Sequence, residues 1–242
     1  MPPGTGRMII HGIGREKLVG FLGMGFGAEL FYSFILIVCS LMIYFGTREL
    51  YELSSHKGIK YFRYSFLFFA IAFFFRSFIK FVIIYFGAED ILEFPIIFGL
   101  AGLLTQFLFV YFSSMAVFYL LYSVMWKKWN NKSHKIYLFH GLAFFIALVS
   151  ILSGNPWVYL ELNLLLLLVV IFVVYTSYQH KNKKKGYNLY FIYFLLSVFW
   201  ILNIIDTLIP KFFEGFQLFI YLASSGVFLT ILYKVLKKAG GS

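Results

Sequence analysis

Seven long apolar stretches follow one another along the chain, separated by short polar segments. Each stretch is near or above the about 20 residues that a helix needs to cross the roughly 30 Å hydrocarbon layer of a bilayer. Because a helix pairs its own backbone polar groups where water is absent, we predict helices rather than strands for all of them. The predicted spans are 27–45, 61–86, 95–125, 136–152, 157–178, 189–209 and 213–236.

The composition supports an all-α, polytopic membrane protein, a single bundle of seven transmembrane helices. The chain of 242 residues is 61% hydrophobic and only 13% charged, whereas soluble domains are nearer half apolar and a quarter charged. We divide it into a glycine-rich N-terminal tail or interfacial segment (1–26), the seven-helix transmembrane domain (27–238) and a flexible C-terminal tail (239–242). The spans leave no room for a separate soluble catalytic or nucleic-acid-binding domain.

The segments between the spans alternate between lysine-rich and lysine-poor. Basic residues cluster after the first, third, fifth and seventh spans, and the other segments are acidic or nearly uncharged. Since flanking positive charge stays in the cytoplasm, we predict a multi-pass cell-membrane protein with a cytoplasmic C-terminus and an N-terminus outside. The net charge of +11 then indicates contact with anionic lipid headgroups at the cytoplasmic face, where a cytoplasmic or membrane signalling partner would also dock.

The N-terminal segment is the exception to this charge pattern. Arg7, Arg15 and Lys17 lie on the outer side in the predicted topology, although positive charge favours the inner side. Residues 9–26 are also rich in glycine. An interfacial segment, a re-entrant piece and an extra helix are alternatives for this part of the chain.

Six polar residues inside the spans are candidate ligand-binding residues. Ionisable groups in hydrocarbon are costly unless they are paired or hydrated, so each one is a functional candidate. Arg76 and Lys80 are four residues apart and Asn203 and Asp206 are three apart, so each pair shares a helix face. Counting the 1.5 Å rise per residue from the loops puts all six candidates in the outer half of the bundle. The six are Arg76, Lys80, Glu161, Asn203, Asp206 and Gln217.

The two cations on one helix face require anions opposite them. Glu161 and Asp206 are the acids at matching depth, and Glu29 lies nearer the outer surface. Three interpretations stay open: an outer pocket for a small polar or anionic ligand, an ion-pair network that only fixes packing, and a Lys80 that snorkels to the outer headgroups.

The sequence contains no set of residues typical of an enzyme or a metal site. Cys39 is the single cysteine, and the histidines show no ligand pair inside the spans; we expect His140 to be a hydrogen-bonded packing residue. A retinal protein needs a lysine in the middle of the seventh span, where Lys234 instead lies at the inner end. We therefore predict no cofactor, no metal and a non-enzymatic function.

Three segments resemble uncharacterised seven-span integral membrane proteins of archaea. They read YFGTRELYEL (44–53), KGIKYFR (57–63) and WILNIID (200–206). The resemblance covers most of the chain and implies the same fold without a known activity. More loosely, the layout is similar to the seven-span sensing modules that precede bacterial signalling domains.

The leading functional hypothesis is a sensor or receptor-like module with a polar cavity in its outer half. One alternative is a transporter or channel for a small solute or ion that uses the same charges. Another is a structural subunit of a larger membrane complex.

Overall fold

The computed structural model describes residues 27–93, 95–129, 134–181, 189–208 and 214–239, with the side chains of 79–93, 95, 98, 134, 180, 181, 214, 238 and 239 outside that description. The tail predicted at 1–26 lies outside the described residues; of the tail predicted at 239–242, Ala239 is the last residue of α8 and 240–242 lie outside them. Within these ranges the chain is helical and contains no strand. The helices are α1 (described over 27–46), α2 (Arg48–Ser54), α3 (Lys57–Glu93), α4 (Pro95–Met125), α5 (His134–Ser153), α6 (Pro156–Lys181), α7 (Tyr190–Leu208) and α8 (Glu214–Ala239).

Seven stretches of the described helices are long and apolar enough to cross a membrane. This confirms the prediction of an all-helical, seven-span, multi-pass integral membrane protein. The side of the membrane that each end faces, and the particular membrane, stay predictions. The stretches are Gly27–Ser54, Lys57–Phe78, Gly99–Met125, Lys135–Ser153, Pro156–Gln179, Tyr190–Leu208 and Gly215–Lys237.

The structure differs from the sequence prediction at two connections. The segment after the first span, predicted as a loop, contains α2. This helix ends at Ser54 and is capped by Ser55, whose φ of 48° is left-handed and whose N–H donates to the Tyr51 carbonyl at 2.8 Å. The acidic segment after the second span is also helical, because α3 continues through Glu93. The next helix begins at Pro95, a position that suits proline because the first helical residue needs no N–H donor.

An aromatic stripe on α3 forms the centre of the bundle. Phe62, Phe66, Phe69 and Phe73 recur every three or four residues, so they share one face of the helix, and all are buried. They contact aromatic rings of α7 and α8; the ring centroid of Phe69, for example, is 6.3 Å from that of Phe199 on α7 and 6.2 Å from that of Phe228 on α8. Each such ring pair adds about 0.5–1.5 kcal/mol beyond its burial. The next position on this stripe is Arg76.

Two ends of the bundle are distinguished by the helix directions. We call the end formed by α2 and the first turn of α3 the basic end. The start of α1, the end of α7 and the start of α8 lie at the opposite end. Arg76 is about 28 Å along α3 from Lys57 at 1.5 Å per residue, which places it near the opposite end.

Candidate functional site

Arg76 carries its charge into the interior because of its position on the aromatic stripe of α3. It follows Phe73 by three residues and therefore faces α1 and α7 rather than lipid. Its side chain is 19% exposed. A guanidinium held this far from water requires hydrogen-bonded counter-ions.

Two carboxylates from different helices supply those counter-ions. The Nε of Arg76 lies 3.3 Å from Oε1 of Glu29 on α1. Its Nη2 lies 3.0 Å from Oδ2 of Asp206 on α7, and its Nη1 donates to Oδ1 of Asn203, also on α7, at 3.4 Å. The carboxylate side chains are only 14% and 10% exposed. One guanidinium thus connects α1, α3 and α7, and we call Arg76, Glu29, Asn203 and Asp206 the Arg76 cluster.

Aromatic rings surround the guanidinium. The Cζ atom of Arg76 is 6.0 Å from the ring centroid of Tyr32 and 5.9 Å from those of Phe73 and Phe109. These distances are within the range of cation–π attraction, which strengthens when the pair is desolvated. Tyr32 also stacks on Tyr221 with centroids 4.8 Å apart, so the shell around the cluster reaches α8.

Side-chain hydrogen bonds to the backbone orient the polar groups on α6 and α7. The amide of Asn203 donates to the Phe199 carbonyl at 2.9 Å, which leaves its Oδ1 to accept from Arg76 and from the Tyr32 hydroxyl at 3.4 Å. The indole of Trp200 donates to the Asn163 carbonyl at 3.2 Å and joins α7 to α6. The oxygen side of Asn203 is therefore turned toward the cation.

Arg76 lies between two spaces. On one side is a small, partly enclosed cavity of about 30 Å³, whose polar lining residues include Tyr159, Asn163, Asn203 and Thr207. A buried water occupies at least about 10–15 Å³ on this measure, so the cavity holds about two waters. On the other side is an open cleft of about 470 Å³ between α3 and α4. Arg76 and Phe109 line both spaces.

The structure brings together three of the six predicted site residues, Arg76, Asn203 and Asp206. Glu161 is exposed on α6, and within the described part of the chain the carboxylates that pair with Arg76 are Glu29 and Asp206. Gln217 is half-buried near the start of α8. The side chain of Lys80 lies outside the described residues, so its predicted role stays a prediction.

Three residues at the site are absent from the predicted set. Glu29 is not in that set because the sequence prediction places it nearer the surface. Like Asp206, however, it is an acidic residue near the outer end of a predicted span, and that feature indicates it as a partner for a buried cation. Tyr32 is one helical turn beyond Glu29 on α1, a position that the i, i+3 spacing indicates. Phe109 carries no distinguishing signal among the 33 phenylalanines.

Metal binding and the surroundings of His140 can be compared with the sequence predictions within the described residues. They contain no group of three or more His, Cys, Asp or Glu side chains that could hold a metal ion. His140 forms a 2.7 Å hydrogen bond through Nδ1 with the hydroxyl of Tyr111 on α4. This contact fits the packing role predicted for His140.

Comparisons with known proteins identify an archaeal relative. A protein from Archaeoglobus fulgidus, described as "Uncharacterized protein", is 37% identical over 219 residues, which cover 87% of this chain and 92% of that protein. No protein-family model matches the chain, and no solved structure matches it significantly. The relative confirms the resemblance to uncharacterised archaeal proteins.

Proposed function

This chain belongs to the family of the uncharacterised Archaeoglobus fulgidus protein. We propose that it is a non-enzymatic membrane protein that acts as a sensor or receptor-like module. The observation that carries the proposal is the position of Arg76. Its guanidinium bonds groups on α1 and α7 and borders both a small cavity and a larger open cleft. A ligand in either space would therefore alter the contact that joins three helices.

The ligand would act by competing for hydrogen bonds at the Arg76 cluster. A small polar or anionic molecule that binds Arg76 replaces part of the pairing with Glu29 and Asp206. Such a ligand shifts the arrangement of the helices only as far as it binds one arrangement more tightly than the other. The shift would reach the basic end through α1, α3 and α7, where a signalling partner would read it.

The bundle interior supports a sensor over a transporter. The small cavity has room for about two waters, and the buried rings of Phe69, Phe73 and Phe199 line it. From there the buried stripe of α3 continues as phenylalanine to Phe62. A transported ion would have to cross this aromatic layer without polar groups from the stripe.

A thermal-shift screen tests ligand binding. Cys39, the single cysteine, is 3% exposed, so a fluorogenic maleimide reacts with it only as the bundle opens. Inorganic phosphate, acetate and the free amino acids are the first probes. A ligand at 100 times its Kd raises the stability by about 2.7 kcal/mol, or about 5–10 °C in a chain of this size. We expect Arg76→Gln to abolish the shift and Arg48→Gln, at an exposed ion pair with Glu52, to retain it.

A flux assay separates the sensor from the transporter. Purified protein in liposomes is given a pH gradient with an internal pH dye, and separately a potassium or sodium gradient. We expect the wild type to match protein-free liposomes. Flux above that background that is lost in Arg76→Ala or Asp206→Asn, but kept in Arg48→Ala, would establish a transporter and contradict the sensor. In the thermal-shift screen, a probe that still raises the unfolding midpoint of Arg76→Gln would contradict binding at Arg76.

A further inference from the structure

Besides Arg76, α3 carries a second arginine, Arg63, which has no counter-ion within the described residues. The ion pairs in those ranges are formed by Arg48 and Arg76. Lys60 lies three residues before Arg63, on the same face of α3, and is likewise not paired with a carboxylate there. Both side chains are half-buried. Two half-buried cations on one face favour an anion that comes from outside the chain.

The helices α1 and α2 hold the Arg63 guanidinium in one orientation. Its Nε donates to the Tyr44 carbonyl at 3.0 Å. Its Cζ lies 4.8 Å from the ring centroid of Tyr44 and 5.9 Å from that of Tyr51, within the range of cation–π attraction. The other four N–H donors, on Nη1 and Nη2, have no acceptor among the described residues. These two nitrogens form the planar fork that binds two phosphate oxygens at once.

The level of Arg63 along the bundle is marked by a change from apolar to charged sequence on both helices. On α1, residues 30–47 carry no charge, and the charged stretch begins at Arg48. On α3, residues 64–75 carry no charge, and Arg63 is the last of the basic residues that precede them. The hydrogen bond to Tyr44 brings the two transitions to one level. Arg63 therefore lies where the hydrocarbon layer meets the headgroups.

The groove between α1 and α3 continues from Arg63 into the apolar layer. Leu41 lies three residues before Tyr44 and Leu67 four residues after Arg63, so each follows its partner on the same helix face, and both are half-buried. We propose that Arg63 and Lys60 bind the phosphate of an anionic phospholipid, whose chains extend along this groove. A zwitterionic headgroup would bring its own cation beside these two cations and be disfavoured. This inference does not depend on the receptor function.

Native mass spectrometry measures the binding of the first lipid molecule. The purified full-length protein in detergent is titrated with phosphatidylglycerol and, separately, with phosphatidylcholine, which carries the same phosphate together with a cation. We expect phosphatidylglycerol to bind about tenfold more tightly, the ratio that about 1.4 kcal/mol gives.

A matched lysine variant distinguishes this site from general attraction to a basic surface. Arg63→Gln should weaken the first phosphatidylglycerol about tenfold. Lys237 lies 5.8 Å from the Tyr233 ring centroid, at the same end of the bundle, because a Cβ at Gly46 of α1 would touch Leu236. Lys237→Gln thus removes one positive charge beside a tyrosine and should leave the Kd within about twofold, because an exposed charge is screened.

Arg63→Lys separates the geometry of the site from its charge. Lysine keeps the positive charge but lacks the planar fork, so phosphatidylglycerol should bind at least about threefold more weakly than to the wild type. Cys39 lies on α1, the helix that Arg63 contacts, so the thermal assay with Cys39 checks that both variants at position 63 are folded.

Inorganic phosphate distinguishes a lipid from a free anion. Added at the concentration of phosphatidylglycerol, it should leave the lipid bound, because it lacks chains that pack along the groove. Displacement by inorganic phosphate would overturn the assignment to a lipid, and equally tight binding of phosphatidylcholine would overturn the anionic preference. Equal losses in Arg63→Gln and Lys237→Gln, or unchanged binding in Arg63→Lys, would overturn the site at Arg63.

Discussion

Removal of the Arg76 guanidinium should destabilise the bundle far more than removal of a comparable arginine at the surface. Arg76→Ala removes the cation that Glu29 and Asp206 share, at side-chain exposures of 14% and 10%. Breaking a buried ion pair by deleting one partner costs about 3–5 kcal/mol. At about 2–4 °C per kcal/mol for a chain of this size, the unfolding midpoint should fall by about 6–20 °C.

The chain provides both the reporter and the control for this measurement. Cys39 lies on α1, the helix that Glu29 connects to Arg76, so its reaction with a fluorogenic maleimide during heating follows the release of α1. Arg48 pairs with Glu52 at 2.7 Å, a shorter distance than either Arg76 pair, but the two side chains are 66% and 56% exposed. Arg48→Ala should therefore leave the midpoint within the replicate scatter, because exposed pairs contribute little.

A double-mutant cycle separates loss of the ion pair from loss of side-chain volume. Asp206→Asn should cost less in the Arg76→Ala background than in the wild type, because the carboxylate that it neutralises has by then lost its cation. Additive midpoint shifts would refute the coupling between Arg76 and Asp206. A shift for Arg76→Ala no larger than that for Arg48→Ala would refute the argument from burial.

Two further predictions concern the connection between α2 and α3 at the basic end. Gly58→Ala should strongly lower the unfolding midpoint measured by the reaction of Cys39, because the added Cβ would lie 2.9 Å from the His56 ring and from the backbone of α4. Gly141→Ala is the control: its Cβ would lie in open space, so the midpoint should stay unchanged or rise slightly. Burial, and to a lesser extent repulsion from Lys127, lowers the pKa of His56 below its ordinary 6.5. As the pH falls, the unfolded chain therefore binds the proton at His56 before the folded chain does. The contribution of His56 to stability is full above about pH 6.5 and is lost below it. His56→Gln should flatten the midpoints measured between about pH 8 and pH 5, and an unchanged pH dependence would contradict this assignment.

The depth of the site can be predicted from the sequence because the loops fix where each span begins. A helix rises by a constant 1.5 Å per residue, so the count from the loops places Arg76 and Asp206 at one level, and the structure pairs them. The basic connections also indicate an orientation, which stays a prediction. The continuation of α3 through Glu93 is not predicted, because the acidic residues of that segment resemble a loop in composition.

The rotation of each helix about its axis could not be predicted. Residues 164–168 of α6 are five consecutive leucines, so the pattern does not show which face of α6 turns inward. The sequence therefore offers Glu161 as a partner of Arg76, although it is exposed. On α3 the same problem arises from phenylalanine, since Phe68 and Phe69 are adjacent and only Phe69 lies on the buried stripe.

The length of α3 beyond the Arg76 cluster determines how far the end of the helix would move if it tilted about that cluster. The helix continues for about 25 Å beyond Arg76 to Glu93, so a tilt of α3 about the Arg76 cluster would have Arg76 as its fulcrum and this segment as its lever arm. A rotation of about 10° at the fulcrum moves the Glu93 end by about 4 Å. The ion pairs at the pivot would meanwhile shift by only a fraction of their length. A force applied at the tip of α3 and a ligand bound beside Arg76 would thus act on the same pivot.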